Sequence, residues 1–232
     1  MEKAFKHLQK EEFTEARRSF EAELIAKPKN LEARYNLALL LQMSGHADQE
    51  LKLYEKNISL GWHLPTVVNL SSLYISDNKK NKAYALLTKS LKRFKNEATP
   101  RYLLAEMDAA AGNKELADER FKDALKADPL NGFAHVRYAR FLSQQDRNEA
   151  ALKHAKRATR LQPKCTMCLN TLGDIQIQKA LYNSAIASYQ KSLAIEPTAA
   201  TRQRLIDALH KTGDHQRADH MQRALNAWKK RQ

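Results

Sequence analysis

Two stretches decide how this chain folds: "TPRYLLAEMDAAAGNKELADERFKDALKADPLN", Thr99 to Asn131, and "TMCLNTLGDIQIQKALYNSAIASYQKSLAIEPT", Thr166 to Thr198. Each runs through an amphipathic stretch, a turn, a small residue, a bulky residue shortly after it, and a proline. Apolar side chains recur at three to four residues on both sides of the turn, the period of helices that bury one face.

This pattern resembles the tetratricopeptide repeat, a helix–turn–helix unit of about 34 residues, and it covers essentially the whole chain. Numbering each unit in that register gives segments 1–30, 31–63, 64–97, 98–131, 132–165, 166–198 and 199–232. Position 8, where the two helices of a unit approach closely, reads Ala4, Ala38, Ser71, Ala105, Ala139, Gly173 and then Ile206. Position 20, across the same contact, reads Ala16, Glu50, Ala83, Ala117, Ala151, Ala185 and Ala218. Phe20, Tyr54, Leu87, Phe121 and Tyr189 supply a bulky filler at position 24, and Pro28, Pro129, Pro163 and Pro197 end second helices at position 32. The resemblance implies an all-α fold: one right-handed superhelical solenoid of antiparallel helix pairs over 1–232.

Departures from the pattern carry their own expectations. Glu50 replaces alanine, Trp62 and Lys95 replace the terminal proline, and Ala155 and Gln222 lack the bulky filler. Segments 31–63 and 64–97 are therefore expected to pack less regularly, with a joining turn one residue short. Segment 1–30 starts in the middle of its first helix, which a short native cap or trimmed upstream sequence would each explain. The last segment, ending "RALNAWKKRQ", has a polar second helix suited to capping.

In such an array ligands are expected in a concave groove, contacted from positions 2, 5, 6, 9, 12 and 13 of the first helices. Here the N-terminal half offers Tyr35, Asn36, Leu39, Met43, Val68, Asn69, Ser72, Ile75, Tyr102 and Glu106, an apolar and aromatic strip with polar anchors. The C-terminal half offers Phe133, Arg137, Arg140 and Asn170 among mostly polar and charged neighbours. Asn36 and Asn69 share position 6, where the family often holds a peptide backbone through an asparagine amide; the alternative is an amide that satisfies its own surroundings. Each apolar side chain buried there contributes about 1.5–3 kcal/mol. A carboxylate clamp for acidic chaperone tails is not expected, because Pro65 and Asn69 stand where lysine and arginine are required.

Net charge is +14, distributed by segment as +1, −1, +5, −2, +6, 0 and +5. Lys52, Lys56, Lys89, Lys92, Lys126, Lys153, Arg157, Arg160 and Lys191 fall at positions 22, 26 or 29 of the second helices, a candidate basic ridge on the convex side. It reads either as solvated surface or as a weak, salt-sensitive contact for an anionic membrane or nucleic acid. No aromatics interleave it to stack bases.

No phosphate-binding glycine loop, Gly-x-Ser-x-Gly or His-Glu-x-x-His is present, and no cofactor or metal is expected. His210, His215 and His220 straddle a turn and spread around a helix axis. No apolar run reaches the length of a membrane-spanning helix. Cys165 and Cys168, the only cysteines, fall across a repeat boundary, with Thr166 as the expected N-cap of the next helix. A helix N-terminus favours a thiolate at Cys168, but no second ligand pair or redox fold surrounds it, so the pair is read as structural, with a reversible disulfide or metal role as the alternative. The expected function is non-enzymatic: a scaffold for a peptide or helix of a protein partner. Self-association near residue 1 and an anionic ligand on the ridge are the other readings. Cytoplasm and a bacterial envelope compartment both stay open.

Overall fold

The computed structural model describes residues 1–229; residues 230–232, the end of the seventh segment, lie outside the described residues. Those described hold fourteen α-helices and no strand, which fits about seven repeats. The chain forms two compact units, Met1–Leu104 and Ala105–Gln232. The first contains α1 (Glu2–Gln9), α2 (Phe13–Ala26), α3 (Leu31–Met43), α4 (Ala47–Leu60), α5 (Leu64–Ser76) and α6 (Lys80–Ser90). α7 (Ala98–Ala110) begins in it and ends in the second. The second contains α8 (Lys114–Ala127), α9 (Gly132–Gln144), α10 (Asn148–Leu161), α11 (Thr166–Gln178), α12 (Tyr182–Ile195), α13 (Ala199–Lys211) and α14 (His215–Lys229). Within each unit a first helix packs on its own second helix, which packs on the following first helix.

The turns inside the hairpins are built alike. Glu11, Gly45, Asn78, Gly112, Asp146, Ala180 and Gly213 all take a left-handed backbone. At each, the next residue donates its N–H to the carbonyl five residues back, as His46 does to Leu41 and Leu181 to Gln176. This closes the end of the first helix and satisfies carbonyls of its last turn. Glycine takes that conformation without strain and Asn78 and Asp146 tolerate it, whereas Glu11 and Ala180 adopt it at a cost of roughly 1–2 kcal/mol.

The small residues at positions 8 and 20 are buried in every hairpin, and Phe20, Tyr54, Leu87, Phe121 and Tyr189 are buried against them. Glu50 is also buried at this contact, and loss of hydration raises its carboxyl pKa. Only residues 61–63 join α4 to α5. With no proline there, Asn57 donates to the Leu31 carbonyl at 2.9 Å and to the Thr66 hydroxyl at 2.7 Å, while His63 joins Thr66 Oγ1 to Glu32. α6 stops at Ser90, so Lys92 lies in the turn after it and not on a second helix.

Gly173 measures how tight the contact is. A Cβ there would lie 2.7 Å from Cζ of Tyr189 and 2.8 Å from its Cδ1. Tyr189 cannot swing away without giving up its 2.8 Å hydrogen bond to Asp174. In a free helix glycine-to-alanine stabilises by about 1 kcal/mol. Here Gly173→Ala is expected to destabilise by about 1–3 kcal/mol through overpacking, read as a lower urea midpoint.

Candidate functional site: the first-helix face

In the first unit the candidate residues sit on α3 and α5. Tyr35 packs against Tyr54 and His63, with ring centroids 6.0 and 5.1 Å apart. Asn69 donates to the Tyr54 hydroxyl at 3.1 Å and to that of Tyr35 at 3.4 Å. Burial pushes the Tyr54 phenol up to about 12, so it stays a neutral acceptor. Asn36 donates to the Glu32 carbonyl at 2.8 Å, and Ser72 to that of Val68 at 3.1 Å. Leu39 and Val68 are half-buried, whereas Met43 and Ile75 are exposed at 70% and 38%. Met43 also borders a cleft of about 260 Å³ with Phe13, Arg17 and His46. Tyr102 departs from expectation: at 8% exposure it belongs to the core, because position 5 of α7 faces inward.

In the second unit the face is charged. Glu106, Arg137 and Arg140 surround a cleft of about 320 Å³ between α7 and α9. Nη1 of Arg137 donates to both oxygens of Glu106, at 2.6 and 2.7 Å. Arg140 and Phe133 are exposed, the latter at 43%. Asn170 donates to Thr201 at 2.9 Å, while its own buried Oδ1 has no protein partner. Arg204 pairs with Asp174 at 3.1 Å.

These bonds share a geometry. Tyr35 with Asn69, Glu106 with Arg137, Asn170 with Thr201 and Asp174 with Arg204 each join one first helix to the next, and Glu32 of α3 reaches His63 just ahead of α5. Much of the polar lettering expected to greet a ligand therefore fastens neighbouring hairpins together.

The basic ridge divides between the units. Lys52, Lys56 and Lys89 are exposed in the first; Lys126, Lys153, Arg160 and Lys191 are exposed and Arg157 half-buried in the second. None forms an ion pair among the described residues.

The cysteines form a disulfide. Cys165, not Thr166, is the N-cap of α11: its backbone is extended, and its Sγ accepts the Cys168 N–H at 3.1 Å. Asn30, Asn131 and Thr198 cap α3, α9 and α13 from the same register position. Cys168 is fully buried at the site that Ala33, Ala134 and Thr201 occupy elsewhere. A thiolate at Cys168 therefore does not describe this structure.

The fold also brings together two histidines whose pairing the sequence does not announce, because they lie on different helices with no motif spacing. His135 Nδ1 and His154 Nδ1 are 2.9 Å apart, and His135 Nε2 donates to the Pro129 carbonyl at 3.1 Å. With that donor fixed, Nδ1 of His135 accepts the proton of His154. Burial is the main cause that lowers His154 to about 4, with His135, Lys153 and Arg147 adding to it. Burial also lowers His135, opposed by its bond to Pro129. Arg34 and Arg101 perform the same task in the first unit, donating to the carbonyls of Pro28 and Phe94.

Comparison with known proteins agrees with this geometry. The family model described as Tetratricopeptide repeat matches residues 6–58 and 102–165, and a second model of the same description matches 168–198. The chain belongs to the tetratricopeptide repeat family. It is 28% identical over 114 residues to cleavage stimulation factor subunit 77 of Arabidopsis thaliana, covering 49% of this chain and 15% of that protein. Among solved structures it resembles the APC/C hetero-tetramer Cut9–Hcn1 (TM-score 0.70, 19% identity, 89% of this chain and 41% of that one). It also resembles yeast Tom70 (0.68, 19%, 94% and 48%) and a thermophilic repeat protein of Thermus thermophilus (0.65, 19%, 77% and 98%). The chain thus spans less than half the length of the plant relative, the Cut9–Hcn1 chain and Tom70.

Two outcomes are expected. As pH falls from the ordinary histidine value of about 6.5 to about 4, the unfolded chain takes up protons that folded His154 refuses. Stability present above that window is then lost, and thermal melts should decline less steeply for His154→Gln than for the parent chain. The disulfide closes so short a loop that replacing both cysteines by serine should cost no more than about 2 kcal/mol in urea unfolding, since a serine in place of Cys165 retains a cap oxygen.

Proposed function

We propose that the protein is a non-catalytic scaffold whose first-helix face holds a peptide segment or helix of another protein. The carrying observation is Met43 and Ile75, apolar side chains left in water on a face whose polar groups are already satisfied within the chain. Such side chains gain by being covered, and nothing in the first unit covers them. Hydrogen bonds across Tyr35, Asn69 and Tyr54 hold this face rigid, so a ligand would meet it largely preorganised. In the second unit, Phe133 and Arg140 offer the corresponding apolar and cationic contacts. Similarity to a subunit of a cleavage stimulation factor and to a chain of an APC/C hetero-tetramer supports work inside a protein assembly.

The test is photo-crosslinking in native extract from a benzophenone side chain placed at Met43, followed by binding assays on the captured partner. Met43→Glu with Ile75→Glu should weaken that partner about tenfold or more while leaving the helical signal and melting temperature unchanged. Undiminished affinity would remove this face from the reading. Loss on reversing Lys153, Arg157 and Arg160 instead, with steep salt dependence, would move the function to α10.

A further inference from the structure

The second-helix side of the first unit carries a groove, opened by a short α6 and by Trp62 at its mouth. α6 has 11 residues where α2 and α4 have 14, so its last turn is missing. Trp62 occupies the usual proline position and stands edge-on to Phe94, with centroids 6.5 Å apart. Between α4 and α6 this leaves a groove of about 510 Å³ over α5, within the range of roughly 300–1,000 Å³ typical of ligand sites. Ile58, Trp62, Tyr74 and Leu86 supply its apolar wall.

Charge decides what fits. Lys82 and Lys89 line the groove and Glu55 is its one carboxylate. Glu55 accepts the Tyr74 hydroxyl at 2.8 Å, and Lys82 Nζ lies 5.6 Å from the centre of the Tyr74 ring. Lys89 has no ion-pair partner among the described residues. Of the two segments that line the groove, 64–97 carries +5 and 31–63 carries −1. An apolar trough rimmed by two ammonium groups against one carboxylate, itself hydrogen-bonded to Tyr74, favours a ligand with the reverse arrangement.

We propose that this groove docks a short acidic amphipathic segment of a partner protein. One or two aromatic or aliphatic side chains would seat between Ile58, Trp62 and Leu86, with carboxylates against Lys82 and Lys89. The surface is separate from the first-helix face, so both are available to one chain.

Trp62 provides the readout. The chain has two tryptophans, and Trp228→Phe leaves Trp62 as the only emitter in the full chain. The probe is a synthetic peptide with Leu and Phe at helical spacing and Glu and Asp elsewhere; its control keeps the apolar residues and carries Lys for every acid. The acidic peptide should give a saturable change in Trp62 emission that weakens with added salt. Lys82→Glu with Lys89→Glu, both on exposed positions, should weaken it about tenfold or more. Met43→Glu with Ile75→Glu should leave it unchanged, so failure here and failure of the first-helix reading are separable. The proposal is overturned by no saturable response, by equal binding of the basic control or by indifference to the charge reversal. A response confined to phosphatidylserine vesicles would overturn it as well.

Discussion

The close approach of two helices at one small side chain is the constraint on which the rest of this structure depends. At Gly173 the facing ring of Tyr189 leaves no room for a methyl group. In the other hairpins an alanine or serine at position 8 meets its partner from position 20, with Ile206 the exception in the last. The large side chains beside this contact reach to the seams, where Phe20, Tyr54, Phe121 and Tyr189 pack against residues of the next hairpin. Hairpin geometry and stacking geometry thus have one origin.

That constraint explains what the sequence displays and what it hides. Small residues in register at one spacing, and the prolines that follow them, are local features, so the helix pairs and the family were legible from them. The turn conformation was only half visible: Gly45, Gly112 and Gly213 announce a left-handed backbone, whereas Glu11 and Ala180 adopt it without any signal of their own. The repeat forces it on them. Boundaries set by tertiary contact were likewise hidden, which is why α6 ends before Lys92 and the cap of α11 falls on Cys165.

The candidate site was legible in position and less so in character. Register placed Met43, Ile75 and Phe133 on the first helices, and they are exposed there. It gave no hint that Asn69, Glu106 and Asn170 spend their hydrogen bonds on adjacent hairpins. Those partners lie from half a repeat to a whole repeat away along the chain, beyond any local pattern. Tyr102 was misplaced for the same reason, since position 5 of its helix turns toward the core. The contact between His135 and His154 was not legible, because nothing short of the folded hairpin brings them together.

Arg34, Arg101 and His135 each reach back to a carbonyl at the end of the preceding hairpin. Every such fastening is private to its own seam, made by residues that take no part in the next. A chain sewn in this way can be lengthened or shortened by one whole hairpin without recutting the stitches elsewhere. Duplication of a single unit would arrive with its own thread already attached, so the array can grow in evolution by accretion at a seam.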